Sequence, residues 1–243
     1  MIQIILGNIG SGKTATVVRE IVKNDTQKFT FSNIITKKIK NNIVIKKDMI
    51  IKKEYNDSKK KDELSLNSEF WKNVQKKYGA INVIIDEAHT VLNPRRAMSK
   101  TNIIMADFLA LLRRVVGSCD SGYGTLTLIT QLERRLDPIA REMSTNVRFC
   151  VCHYTKHCKK CGYKWKENNE ISEPIYRCPK CNNIYINKIN HIIETWHFNS
   201  FQNYELWKEF GKKTYHKHYY INDIEQYFSY YNTLQWENLI SDY

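Results

Sequence analysis

The sequence predicts an α/β fold, and three observations carry that prediction. A short apolar run leads straight into a glycine-rich turn and a helix-forming segment. Two further apolar runs end in polar residues suited to a sheet edge, and the stretches between them carry helical spacing. At 243 residues the chain suits one large domain, or one domain with a small module, and 42% hydrophobic content suffices for a packed core.

The first run, IQIIL at residues 2–6, reads as a strand, and ATVVREIVK at 15–23 reads as a helix. Between them GNIGSGKT fits the spacing GxxxxGK[ST], and strand, loop and helix in that order make it a credible P-loop, or Walker A motif. Gly7, Asn8, Ile9, Gly10, Ser11, Gly12, Lys13, Thr14 and Ala15 are therefore candidate nucleotide-binding residues. The glycines let backbone N–H groups curl around phosphates, and the helix N-terminus adds its dipole. Lys13 is expected on the β- and γ-phosphates of ATP and the Thr14 hydroxyl on Mg²⁺.

The run INVIID (81–86) reads as a buried strand that delivers Asp86 and then Glu87 to the same sheet edge, as a Walker B element. Asp86 is expected to hold Mg²⁺ through its water shell and Glu87 to polarise an attacking water, which favours a hydrolase over a small-molecule kinase. A third run, GTLTLITQ (124–131), ends in Gln131, placed to orient that water. Between these strands TNIIMADFLALLRRVVGS reads as a helix capped at Thr101 or Asn102 and closed at Gly117. Arg113 and Arg114 in its last turn have two readings. One is an arginine finger for a neighbouring subunit's γ-phosphate, and the other is cations favoured at a helix C-terminus. Arg95, Arg96, Arg134, Arg135 and Arg141 are weaker candidates.

Residues 87–89 complete the tetrapeptide Asp-Glu-Ala-His, but the chain lacks the length and later motifs of a two-domain helicase, so the tetrapeptide is read as coincidental. The stretches GNIGSGKTATVV, FSNI (31–34), VIIDEAHTVLNPRR, LLRRVVGS and LTLITQLERRLDPIARE together resemble the FtsK–HerA superfamily of DNA-pumping ATPases, and more closely its viral genome-packaging and zonula-occludens-toxin-like branch. The resemblance covers about residues 1–155 and resumes weakly after 184. It implies a RecA-like P-loop NTPase core of the additional-strand type, and ATP hydrolysis that moves double-stranded DNA through a homo-oligomeric, hexamer-like ring. A virus or mobile element is the expected source, with a capsid or portal protein as a further partner. Toxin-like members of filamentous viruses carry a membrane span after the ATPase. No run of about 18 apolar residues occurs here, which favours a packaging motor over an exporter. A virion-assembly ATPase, and a zinc-ribbon adaptor that binds ATP without pumping, are the alternatives.

Two CxxC pairs, Cys158/Cys161 and Cys178/Cys181, lie sixteen residues apart in CKKCGYKWKENNEISEPIYRCPKC. Four thiolates satisfy tetrahedral Zn²⁺, and a closed four-sulfur site is structural, so a zinc-ribbon insertion is expected over 156–184. It would divide a core at 1–155 from a final core strand and an aromatic-rich helical C-terminal segment at 185–243. Cys150 and Cys152 read as core packing, His153 and His157 as alternative ligands that a complete thiolate shell does not need, and Cys119 as irrelevant. With no signal-peptide pattern and this cysteine usage, the expected location is the cytoplasm, that of the host if the protein is viral.

The formal charge of +13 favours a polyanionic partner. Residues 37–61 hold ten lysines against three acids. NIVIKKDMIIKK reads as an edge strand or hairpin with a lysine-rich loop at 55–63. Lys37, Lys38, Lys46, Lys47, Lys52 and Lys53 either contact DNA phosphates or blunt a sheet edge. A helix is expected over 67–79 with Phe70, Trp71 and Val74 inward. After 199, Tyr204, Trp207 and Phe210 recur on one helical face.

Overall fold

A computed structural model describes residues 1–24, 28–56, 60–91, 103–104, 107–108, 110–111, 124–171 and 175–236. The described strands are β1 (Ile2–Leu6), β2 (Thr30–Ser32), β3 (Ile34–Thr36), β4 (Asn42–Val44), β5 (Ile51–Asn56), β6 (Lys61–Leu66) and β7 (Asn82–Ile85). They continue with β8 (Thr125–Ile129), β9 (Asn146–Cys158), β10 (Lys164–Asn168), β11 (Ile186–Phe198), β12 (Lys217–Ile221) and β13 (Tyr231–Trp236). The helices are α1 (Lys13–Lys23), α2 (Lys47–Ile50), α3 (Ser68–Tyr78), α4 (Ala88–Val91), α5 (Pro138–Glu142) and α6 (Phe201–Phe210).

The central sheet runs β12-β11-β9-β1-β8-β7-β2-β4. From β9 to β4 every pairing is parallel, and β11 and β12 add an antiparallel edge. Strand β8 lies between β1 and β7, so one strand separates the glycine-rich loop from the Asp-Glu pair, the additional-strand arrangement. Such strands need cover on both faces. Ile2, Ile4 and Leu6 of β1 point into one core with Phe31, Trp71 of α3 and Tyr204 of α6. Ile5 points into the other, with Ala15, Val17, Val18 and Ile21 of α1. The period-2 alternation of a strand thus joins two helical layers through one sheet.

Strand β9 pairs with β1 only as far as Phe149 and then runs nine residues further to Cys158, flanked by β10 and β11. At ~3.3 Å per residue, the cysteine pairs stand roughly 30 Å beyond the end of β1. The insertion is therefore a continuation of core strands, and β9 runs unbroken past residue 155.

Several expectations change. The strand expected over 124–131 stops at Ile129, leaving Thr130 and Gln131 in the turn beyond it. The lysine-rich loop expected at 55–63 is instead strand at 55–56 and 61–63, because the backbone pairing of β5 with β6 runs from Ile51↔Leu66 to Asn56↔Lys61. The C-terminal segment is helical at α6, then returns as β12, a 3₁₀ segment over Ile224–Tyr230, and β13 paired with β3. On α6 the buried positions are Phe201 and Tyr204, whereas Phe210 is 66% exposed because the helix ends at Gly211 beyond the sheet it covers. The described residues of the arginine-bearing helix are helical, with Ile104 and Phe108 buried. Arg113, Arg114, Arg95, Arg96 and Cys119 lie outside the described residues. Among the described residues no helix is long and apolar enough to cross a membrane.

Candidate functional site

The sheet order brings the ends of β1, β8 and β7 to one carboxyl edge, and the singled-out polar residues converge there. Gly7 is buried with φ +145, and a Cβ on it would lie 2.4 Å from the Cys150 carbonyl oxygen, so only glycine fits the turn. Gly12 caps α1 with φ +81, and its missing Cβ makes room for Ile193 of β11. It offers no side-chain cap, so the first N–H groups of the 11-residue α1 remain available to an anion. Lys13 Nζ folds back to donate to the carbonyls of Gly7 (2.8 Å) and Asn8 (2.9 Å), an ammonium held inside the loop. Burial lowers its pKa, while Asp86 and Glu87 favour its charge.

Thr14 Oγ1 donates to Asp86 Oδ2 at 2.8 Å. A threonine hydroxyl beside a buried carboxylate is an oxygen donor set that fits Mg²⁺, which Thr14 would ligate and Asp86 would hold through its water shell. Burial raises the Asp86 pKa, and the Thr14 hydrogen bond opposes that.

Glu87 adopts φ 53, an uncommon left-handed conformation for a glutamate. Its Oε2 is buried and accepts no hydrogen bond from any described residue. His89 Nδ1 lies 3.3 Å from that oxygen and 3.1 Å from Thr130 Oγ1. Thr130 Oγ1 also accepts the Leu132 N–H. Burial lowers the His89 pKa and favours the neutral ring. Burial, then the Asp86 charge, raises the Glu87 pKa. The result is a half-buried carboxylate whose buried Oε2 accepts no hydrogen bond from the described residues, beside the P-loop.

Positioning residues emerge that the spacing argument assigned no role. Asn33 clamps the Asp86 peptide from both sides: Nδ2 donates to the Asp86 carbonyl at 2.9 Å and Oδ1 accepts its N–H at 2.7 Å. A buried asparagine directly after a short strand in FSNI was the available signal. His89 of the Asp-Glu-Ala-His tetrapeptide touches both Glu87 and the β8 end. From the insertion, Glu170 accepts a hydrogen bond from Asn8 Nδ2 at 2.9 Å. Tyr231 comes from the C-terminal segment, its hydroxyl pKa pushed to about 12 by burial and by the Asp86 charge. Neither contact has a local sequence signal.

Gln131 divides two clefts. One, of about 790 Å³, runs along residues 9–15 past Asp86 and Glu87 to Tyr154, His191 and Phe228. The other, of about 510 Å³, is lined by Asn8, Arg134, Arg135, Glu170 and Lys208. Arg141 instead packs on Phe201 at 5.4 Å and faces Glu205, away from the loop. Of the singled-out lysines, Lys37 lines the larger cleft and Lys52 pairs with Glu54.

The four sulfurs of Cys158, Cys161, Cys178 and Cys181 lie within 4.8 Å of one another. Cys158 and Cys181 are 3.6 Å apart, and Cys161 and Cys178 3.5 Å. Four thiolates about a tetrahedral zinc with bonds near 2.3 Å would sit about 3.8 Å apart, so these sulfurs fit the ion. Each knuckle turns alike: Gly162 N–H donates to the Cys158 carbonyl and Asn182 N–H to the Cys178 carbonyl, both residues having positive φ. Backbone N–H groups from Cys161 and Lys160 help lower the Cys158 pKa to about 6. His153 instead bonds Glu194 at 2.7 Å and is no part of the cluster. His157, on β9 opposite Lys164, also stands outside it. Cys150 and Cys152 are buried core thiols, as expected.

The chain is similar to the N-terminal domain of zonular occludens toxin from Neisseria meningitidis, with 17% identity, TM-score 0.51, and 95% of this chain and 98% of that chain covered. It is also similar to the genome packaging NTPase B204 from Sulfolobus turreted icosahedral virus 2 in complex with ATP-gammaS, with 16% identity, TM-score 0.38, and 61% and 74% covered. No curated protein matches it. The first likeness bears on the α/β P-loop fold. The zonular occludens toxin family model matches residues 1–150, which carry the P-loop, the Asp-Glu pair and Gln131, and the chain therefore belongs to the zonular occludens toxin (Zot) family.

Proposed function

We propose that the protein is a Mg²⁺-dependent ATP hydrolase that uses turnover to move double-stranded DNA as a homo-oligomeric ring, in a virus or mobile element. The observation that carries the hydrolase reading is the buried Glu87 Oε2, without a hydrogen bond from the described residues, beside the Thr14–Asp86 contact and the enclosed Lys13 ammonium. In this reading the backbone of residues 7–15 and Lys13 bind the phosphates, and Thr14 and Asp86 hold Mg²⁺. The ion supplies charge neutralisation on the phosphate oxygens. Glu87 accepts a proton from the attacking water and Gln131 orients it, while Asn33 and His89 position the acids. Gln131 lines both clefts, and a neighbouring subunit is proposed to bring a positive charge to it. Arg113 and Arg114 are the first candidates for that charge, with Arg134 and Arg135 within the same chain.

The DNA reading is supported by the net charge of +13. The four thiolates are proposed to hold a structural Zn²⁺ that fixes the far end of the β9–β11 extension, a platform for DNA or for a capsid or portal protein. The proposed location is the cytoplasm, that of the host if the source is viral. Family membership favours a second reading, a virion-assembly ATPase without DNA translocation.

The test is steady-state ATP hydrolysis with and without linear double-stranded DNA, for wild type and Glu87→Gln. Stimulated turnover that drops about 10²–10⁴-fold in the variant, with ATP binding retained, supports the motor. Turnover indifferent to DNA moves the conclusion to the assembly ATPase. Tight binding without turnover in either condition points to a nucleotide-switched adaptor.

A further inference from the structure

We infer that Phe228 and His191, backed by the buried Tyr154, form the base-binding wall of the nucleotide site, a stacking surface for a purine. The inference rests on the ATP reading above and adds to it the residues that recognise the nucleoside. The direction of the phosphate chain comes from the loop: its γ end belongs near Asp86, Glu87 and Gln131, and its α end at the first turn of α1. Gly12 at that turn packs against Ile193 of β11, so a nucleoside leaving the turn meets β11 directly. Two residues along β11 is His191.

His191 is held rigidly. Its backbone N–H and its Nδ1 both bond Glu225 Oε1, at 3.0 and 2.7 Å. Phe228 meets the imidazole edge to face, with centroids 5.4 Å apart at 78°, and the buried Tyr154, its ring under Lys188 Nζ at 4.0 Å, lies 6.0 Å from it. Phe228 is nevertheless 40% exposed, a large aromatic face presented to the cleft. The wall is anchored at both ends. Asp223 accepts from Arg19 Nε of α1 at 2.7 Å, and the Tyr230 carbonyl accepts the Lys37 N–H at 2.6 Å beside β3. The 3₁₀ segment Ile224–Tyr230 thus crosses the cleft as a fixed wall. About 790 Å³ is more space than phosphates alone require and falls in the range of small-molecule sites.

The experiment is titration calorimetry of the full chain with MgATP and with magnesium tripolyphosphate, for wild type, Phe228→Ala, His191→Ala and Lys13→Ala. Loss of a stacked aromatic is expected to weaken ATP binding about 5- to 100-fold in Phe228→Ala, with tripolyphosphate affinity unchanged. Lys13→Ala is expected to weaken both ligands. ATP affinity unchanged within twofold in both aromatic variants overturns the wall. So does an equal loss for both ligands, which would mean the wall only supports the loop. Wild type that binds neither ligand overturns the nucleotide reading itself, and the base wall with it. Wild type that binds tripolyphosphate and ATP equally retains a phosphate site and overturns the base wall alone.

Discussion

The two-sided Asn33 clamp makes Asn33→Ala a sharp test of how the acidic pair is held. Asn33 is 1% exposed, and its amide makes both hydrogen bonds to the Asp86 peptide. Each bond contributes about 0.5–1.5 kcal/mol net, and each buried peptide group left without a partner costs about 1–3 kcal/mol. Overlap between these contributions gives an expected loss of about 2–4 kcal/mol. For a chain of this size that corresponds to a melting temperature lower by about 5–15 °C. The same clamp fixes the peptide before Glu87, whose φ of 53 stores about 1–3 kcal/mol of strain. Freed from the clamp, Glu87 relaxes and turnover is expected to fall at least tenfold. Asn33→Leu fills the volume without the hydrogen bonds, so it should be no better than alanine. Differential scanning calorimetry and ATP turnover report the two effects. A melting temperature within 2 °C of wild type and turnover within twofold would refute the clamp.

Three further outcomes are expected. Wild type should carry one zinc per chain by elemental analysis and Cys178→Ser should lose it, whereas a variant that keeps one tightly held zinc would defeat the four-sulfur site. His197, 6% exposed and stacked on Tyr219, has its pKa pushed down to about 3 by burial and then by Arg148. Below about pH 6.5 the unfolded chain binds a proton that the folded one refuses, so stability falls by up to about 1.4 kcal/mol per pH unit toward pH 3. Denaturant titrations of His197→Phe should show that slope reduced, and an identical pH profile would count against it. Lys156 and Glu167, 5% and 7% exposed and 2.6 Å apart, pin the stem of the extension. Lys156→Met alone should cost about 3–5 kcal/mol by urea unfolding and the double variant with Glu167→Leu much less, so equal losses would argue against a buried pair.

The sequence by itself determined the local chemistry. Glycines at 7, 10 and 12 dictate a loop that curls on itself, short apolar runs dictate buried strands, and CxxC pairs dictate knuckles, all within a few residues of chain. It also determined the α/β class, because β1, the glycine loop and α1 follow one another directly. What it left open were meetings between residues distant in sequence. Asn33 reaches Asp86 because β2 lies beside β7, Glu170 reaches Asn8 because β10 pairs with β9 next to β1, and Tyr231 comes close to Asp86 because β13 pairs with β3. The aromatic C-terminal segment shows the same limit. Its tyrosines favour a pleated surface, and the edges of β11 and β3 supplied the backbone partners that make strands of β12 and β13. Local spacing fixes which groups a loop can present; sheet order fixes which of them meet.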